Sequence, residues 1–283
     1  MYTLQNQKLR VMILDPISDR YRLGSRYCTG GYIWQILDLI SGDLLSGPMF
    51  PDPLPTQFDG QGAPEVFETA LGLDTASINN TVLVIGVGEV LRSSPVEPFH
   101  VRDNPIVKEF CTWKIDRLKS SISMHTSHKY KKYSLQLTRV VSLVGRTVIS
   151  RSALINRGEE SVPLRWFAHP FFPLNNDLVC SKFSRPFEIS DNRGFFLDKD
   201  GYLAMRKEYP WKKGLYCPLK MDGEGPMIIR QLHPVLPELE VQLCFPVSSM
   251  PVWANANTYS FEPYLDTILD PESKKEWSIE FRF

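Results

Sequence analysis

The chain is 283 residues long, with 43% hydrophobic and 23% charged residues, which suits a globular protein with a sizeable core and excludes a disordered or fibrous one. Lys plus Arg and Asp plus Glu number 32 each, so there is no net positive field to hold a phosphate backbone or an anionic bilayer, and neither nucleic acid nor membrane is an expected partner. No run reaches the roughly 18 apolar residues that span a bilayer, and the start, MYTLQNQKLRVMILD, lacks a basic and then apolar leader, which predicts a cytoplasmic protein.

Taken in chain order, residues 46–68, SGPMFPDPLPTQFDGQGAPEVFE, are dense in Pro and Gly and read as a long ordered loop of the kind that often carries function. Asn79-Asn80-Thr81 is a sequon without secretory context and reads as a polar turn. Gly86-Val87-Gly88 has Leu91 where a third glycine would be needed to cradle a pyrophosphate, so no dinucleotide site is expected. His125 and His128 lie in the polar, basic stretch SMHTSHKYKK, which reads as a solvated hairpin end rather than a metal site. The five cysteines, at 28, 111, 180, 217 and 244, form no CxxC pair and read as reduced thiols packed as small hydrophobes.

Residues 133–155, YSLQLTRVVSLVGRTVISRSALI, carry Leu135, Leu137, Val141 and Leu143 at the spacing of one sheet face, with a turn at Gly145-Arg146. That predicts a hairpin. The apolar run PLRWFAHPFFPL comes next, and its prolines argue for an edge or a strand end at His169. Short alternating segments recur in LEVQLCFPV, TYSFEPYL and WSIEFRF. No long helix is required, no fixed-period repeat is present, and one domain spanning 1–283 is expected.

Two ionisable groups stand in apolar company. His169 in WFAHPFF and Glu262 in YSFEPYL must each find a partner or face a cleft. Residue patterning alone leaves a satisfied, half-buried role open for both. Trp253, Asn255, Asn257 and Tyr259 precede Glu262 and offer an aromatic platform with amide hydrogen bonds, of the sort sugars stack on; an ordinary Asn turn is the alternative.

The order of these pieces resembles the aldose 1-epimerase (galactose mutarotase) family in the broad sense, most clearly from Tyr133 onward. Residues 133–172 are similar to that family's paired strands, its L-x-N turn at Leu154-Ile155-Asn156 and its His-Pro-aromatic motif. SFEPY is similar to its Glu-Pro motif. The resemblance implies an all-β galactose-mutarotase-like β-sandwich (supersandwich), with His169 as catalytic acid and Glu262 as base, no cofactor and no metal. It implies a small-molecule sugar substrate and a monomer or homodimer. The N-terminal half departs from the pattern. Gly60-Gln61 stands where a Gly-Arg motif is expected, and residues 85–88 lack the family's second histidine. Gln61 and Glu65 are candidates to contact the sugar in their place, with Trp253, Asn255 and Tyr259 as further substrate-binding candidates and Arg26 or Arg92 as other replacements. A sugar-binding protein of this fold without catalysis is the alternative reading. Hydrolase or lyase chemistry, pairing Glu262 with Asp222 or Glu65, ranks third.

Overall fold

Alternation of apolar and polar side chains organises the chain into antiparallel strands. A computed structural model describes residues 1–19, 22–49, 60–223 and 225–283. Helical structure among these is confined to short 3₁₀ turns such as Val101–Asp103 and Trp211–Lys213, while the strands are many and antiparallel, so the all-β class is what the residues form. No helix among the described residues is long and apolar enough to cross a membrane.

The hairpin expected over residues 133–155 is Tyr133–Val144 paired with Thr147–Asn156 through Gly145-Arg146. Gly145 holds φ 60°, which glycine adopts without steric cost and a two-residue turn of this hand requires. This hairpin lies within an eight-stranded sheet that runs from Lys114–Arg117 at one edge to Ser181–Phe183 at the other, with Lys274–Arg282 beside the hairpin. Leu135, Leu137, Val141 and Leu143 face the main apolar core, together with Val148, Leu154, Trp166 and Trp277. Fully burying one such side chain contributes about 1.5–3 kcal/mol.

Two smaller sheets share neighbouring stretches of chain. A three-stranded sheet places Val162–Ala168 between Tyr264–Leu269 and Glu65–Phe67. A five-stranded sheet runs Phe171–Pro173, Thr258–Phe261, Met250–Ala254, Leu215–Met221, Phe187–Ile189. Pro163 is tolerated because Glu65–Phe67 covers only Trp166, Phe167 and Ala168, leaving the proline's far side outside any ladder.

Two expectations need correction. The segment 46–68 is not loop throughout, since Glu65–Phe67 forms a strand against Trp166–Ala168; its residues 50–59 lie outside the described residues. His125 and His128 are not a solvated hairpin end. Both sit within the strand Ser121–Tyr130, three residues apart and so on opposite faces, with His125 half-buried and His128 buried and accepting from the Gly86 N–H at 3.0 Å. Among the described residues no group of three or more His, Cys, Asp or Glu side chains is placed to hold a metal ion, and all five cysteines are free thiols.

The alternation of Tyr133–Val144 puts Arg139 on the same buried face as its leucines, and the residue is 1% exposed. Its guanidinium reaches Glu65 Oε1 at 2.5 Å and also bonds Ser150, Ser152 and the Gly30 carbonyl. Ser150 Oγ donates to Glu65 Oε1 at 2.7 Å and Trp166 Nε1 to Oε2 at 3.1 Å. A buried charge survives only when paired and hydrogen-bonded in this way. Replacing Arg139→Met leaves Glu65 uncompensated and should cost about 3–5 kcal/mol in urea denaturation, with the double variant Arg139→Met, Glu65→Leu costing less; a single-variant loss below about 1 kcal/mol would contradict this role.

Candidate active site

Proline breaks two neighbouring strands at the same level. Val162–Ala168 and Tyr264–Leu269 pair in the three-stranded sheet as far as Phe167 opposite Tyr264. The same two stretches of chain pair again in the five-stranded sheet from Phe171 opposite Ser260. The step from one pair to the next is equal on both strands, so His169 and Glu262 stand across from each other in the gap. Each is followed by a proline, Pro170 or Pro263. Proline has no N–H to give a ladder, so each strand leaves one sheet and joins the next there. The residue before each proline keeps its own N–H satisfied from outside the pair: His169 N–H bonds Pro64 O and Glu262 N–H bonds Pro251 O, both at 2.9 Å.

At this double break the two side chains meet. His169 Nε2 lies 3.5 Å from Glu262 Oε1, and the two residues are 3% and 5% exposed. On the ring's other side Nδ1 is 2.7 Å from Ser260 Oγ. Ser260 directs its hydrogen to Phe261 O at 3.4 Å, so Oγ accepts from Nδ1–H and the Nε2 lone pair faces Glu262. Burial pushes the imidazole well below its usual 6.5, and Arg26 adds to the effect. Burial likewise pushes the Glu262 carboxyl up to about 7, with Arg26 opposing and Glu68 assisting. Both directions make this contact a neutral pair near pH 7, a carboxyl beside a neutral imidazole, rather than an ion pair.

The pair forms the floor of a cleft of about 380 Å³, at the small end of the roughly 300–1,000 Å³ of ligand sites. Phe167 and Tyr264 stack at 4.6 Å along one wall, and Phe171 and Trp253 meet edge-on at 6.2 Å along another. Tyr216 stands at the rim, 54% exposed. From the N-terminal half come Arg26, Pro48, Glu68, His100 and Arg102.

Of the site residues expected from the sequence, His169, Glu262 and Trp253 converge here and four do not. Glu65 is buried away from the cleft in its ion pair with Arg139. Gln61 is buried, its N–H on the Tyr32 hydroxyl and its side chain against Gly47. Asn255 uses its oxygen on the N–H groups of Asn257 and Thr258 and its amide on Pro48 O. Tyr259 alternates with Ser260 and therefore points to the opposite face, where it is fully buried. Asp222, the other carboxylate considered for Glu262, is exposed just past the strand Leu215–Met221 and does not line the cleft. Arg26, named as a replacement for the missing arginine, lines the cleft; Arg92 instead bonds Ala76 O and Glu97. Sequence reasoning missed His100, Arg102, Glu68 and Tyr264. Only Tyr264 had a signal, as the next aromatic along the Glu-Pro motif.

No family model matches the chain, and no curated protein matches it in sequence. Solved structures do match it. A galactose mutarotase related enzyme from Lactobacillus acidophilus superposes with TM-score 0.62 at 12% identity, covering 99% of this chain and 96% of that one. A galactose mutarotase-like protein from Lactobacillus casei gives TM-score 0.57 at 12% identity over 100% and 99% of the two chains. An aldose epimerase homologue from C. elegans gives 0.51 at 12% over 99% and 97%. The chain has the galactose-mutarotase-like fold. At these identities the likeness concerns that fold, and the expectation of fold drawn from the sequence agrees with it.

A galactose-mutarotase-like frame that buries Glu262 should do so at a cost to stability. The folded-state pKa of about 7 lies above the ordinary 4.5, so the unfolded chain releases this proton first and stability declines as pH rises from about 4.5 to about 7. Glu262→Gln removes the effect. Its stability relative to the parent should be on the order of 3 kcal/mol greater at pH 8 than at pH 4 by chemical denaturation; an equal difference at both pH values would show that the carboxyl is not held up by burial.

Proposed function

We propose that this protein is an aldose 1-epimerase, interconverting the anomers of a sugar by ring opening, with His169 as acid and Glu262 as base. The observation that carries the reading is the contact of His169 Nε2 with Glu262 Oε1, 3.5 Å apart on the floor of an aromatic-walled cleft. The two oxygens that exchange protons in anomerisation, the ring oxygen and the C1 hydroxyl, share one carbon. An acid and a base in contact with each other suit them better than a pair one sugar ring apart.

In the reacting form one proton resides on the pair, on His169 Nε2, and Glu262 is ionised. The imidazolium gives that proton to the ring oxygen while Glu262 takes the C1 hydroxyl proton. The C1–O5 bond breaks, C1=O1 forms, and the aldehyde is released from its ring. Rotation about C1–C2 and reversal of both transfers closes the opposite anomer. Ring opening thus leaves His169 neutral and Glu262 protonated. Burial favours that state, since it lowers the imidazole and raises the carboxyl. The cleft stabilises the open-chain side of the reaction, and the half-buried Trp253 indole at its wall offers the C–H surface of the sugar a stacking partner.

His169→Asn and Glu262→Gln should each slow enzyme-catalysed anomer exchange, followed by NMR magnetisation transfer, by about 10²–10⁴-fold; a variant at parental rate removes that residue from the mechanism. The singly protonated pair disappears as pH rises through about 7. The value kcat/KM should therefore fall about tenfold per pH unit above that point, and a rate that climbs steadily from pH 6 to 9 contradicts the shared proton. Sugar binding with no faster exchange would favour the non-catalytic carbohydrate-binding reading.

A further inference from the structure

The two faces of the three-stranded sheet differ. Leu164, Trp166 and Ala168 pack into the main core. Alternation therefore puts Arg165, Phe167 and His169 on the other face, with Tyr264 opposite Phe167 and Glu68 beside Arg165, its N–H on Arg165 O at 2.9 Å. Three levels follow one another along that face: the pair of His169 and Glu262, then the Phe167–Tyr264 stack, then Glu68. Same-face residues on a strand are about 7 Å apart, so the stack lies one such step from the acid–base pair and the Glu68 backbone two.

Glu68 lines the cleft, with its side chain 24% exposed. Oε2 takes Arg165 Nε at 2.7 Å, and Tyr264 OH donates to Oε1 at 3.3 Å, which draws the carboxylate back from its own backbone toward the level of the stack. Arg165 is held in turn by Asp266 and lies over the Tyr264 ring at 4.5 Å. The described residues that line the cleft include neither Arg165 nor Asp266, so what this charged cluster presents to a ligand is the Glu68 carboxylate. A carboxylate has about four acceptor positions, and these two bonds occupy two of them. Glu68 thus keeps acceptor capacity on a side chain anchored at both oxygens, and an acceptor so placed selects a donor such as a hydroxyl.

Anomerisation decides which hydroxyl would meet it. The acid and the base act on the ring oxygen and the C1 hydroxyl, so the O5–C1 edge of a pyranose faces His169 and Glu262, and the edge opposite across the ring is C3–C4. We propose that Glu68 is a specificity residue that accepts a hydrogen bond from the C3 or C4 hydroxyl, so that the substrate class is a free aldohexopyranose with a hydroxyl on that edge. The orientation of the ring rests on the epimerase reading, whereas the acceptor role of Glu68 rests on its own geometry.

Titration calorimetry with glucose, galactose and their 3-deoxy and 4-deoxy analogues tests this, alongside the concentration dependence of anomer exchange on the same sugars, for the parent, Glu68→Gln and Tyr264→Phe. The parent should bind one of the two deoxy analogues about tenfold or more weakly than the better-bound hexose, because a hydrogen bond to a charged acceptor is lost with the hydroxyl. Glu68→Gln should weaken that hexose by a similar factor, in KM rather than in kcat, and leave the sensitive deoxy analogue within about twofold of its parental affinity. Tyr264→Phe keeps the aromatic stack and should narrow the same difference, so the parent's deoxy penalty and this second variant decide the matter even if Glu68→Gln does not fold. A parent indifferent to both hydroxyls, a loss in Glu68→Gln shared equally by the deoxy analogues, or no binding of any of the sugars overturns the assignment. Affinity that depends on the hydroxyl and on Glu68 without faster exchange upholds the Glu68 contact and sinks the epimerase reading; fast exchange indifferent to both does the reverse.

Discussion

Pro170 and Pro263 lie one on each of two paired strands, each just past the residue that faces the other strand, and neither can donate a hydrogen bond to a neighbour. Both strands must therefore leave the three-stranded sheet and enter the five-stranded one at the same level. The gap this opens is where His169 and Glu262 turn toward each other, each with its backbone N–H taken up by a carbonyl from elsewhere, Pro64 and Pro251. The cleft, its aromatic walls and the proton shared across its floor all depend on that break. A continuous ladder there would have closed the two strands over the space.

The break is held from behind by charge. Glu65, which adjoins Pro64, is anchored by Arg139, Ser150 and Trp166, and its carbonyl accepts from Cys28 N–H at 2.8 Å. One buried ion pair thus joins the eight-stranded sheet to the short strand Glu65–Phe67, and the Glu65 backbone ties in the segment just after Arg26. Removing two charges from water is expensive, and an apolar pair would pack as stably. What the ion pair adds is direction: it fixes Pro64, and Pro64 fixes the backbone of His169. A reacting group is useful only if held this firmly before substrate arrives.

Much of this was legible in the chain. Alternation gave the hairpin and its turn residue, and two ionisable groups in apolar company, together with the resemblance carried by their His-Pro and Glu-Pro motifs, gave the candidate pair. Periodicity also contained Arg139, which stands between Leu137 and Val141 on the apolar face, although the sequence reading did not single it out. Glu65 was read as a loop contact to sugar because its partner lies 74 positions away, a separation no local pattern crosses. Tyr259 was misplaced by one step of strand alternation, since Ser260, not its neighbour, is on the side of the His169 ring. His100 and Arg102 reach the cleft through the Ser25–Val101 hydrogen bond, and nothing in their local sequence announces it.

The proposed function turns on where one proton sits. Burial holds Glu262 up to about 7 and His169 well below 6.5, so below about pH 7 the protein carries a neutral carboxyl beside a neutral imidazole, the state from which the proposed reaction would start. A single NMR titration of the Glu262 carboxyl ¹³C and the His169 ring ¹⁵N signals between pH 5 and 9 measures this directly. The expected result is that Glu262 loses its proton near pH 7 while His169 stays neutral throughout. A carboxylate already ionised at pH 5, beside an imidazolium that titrates above 6.5, would contradict it.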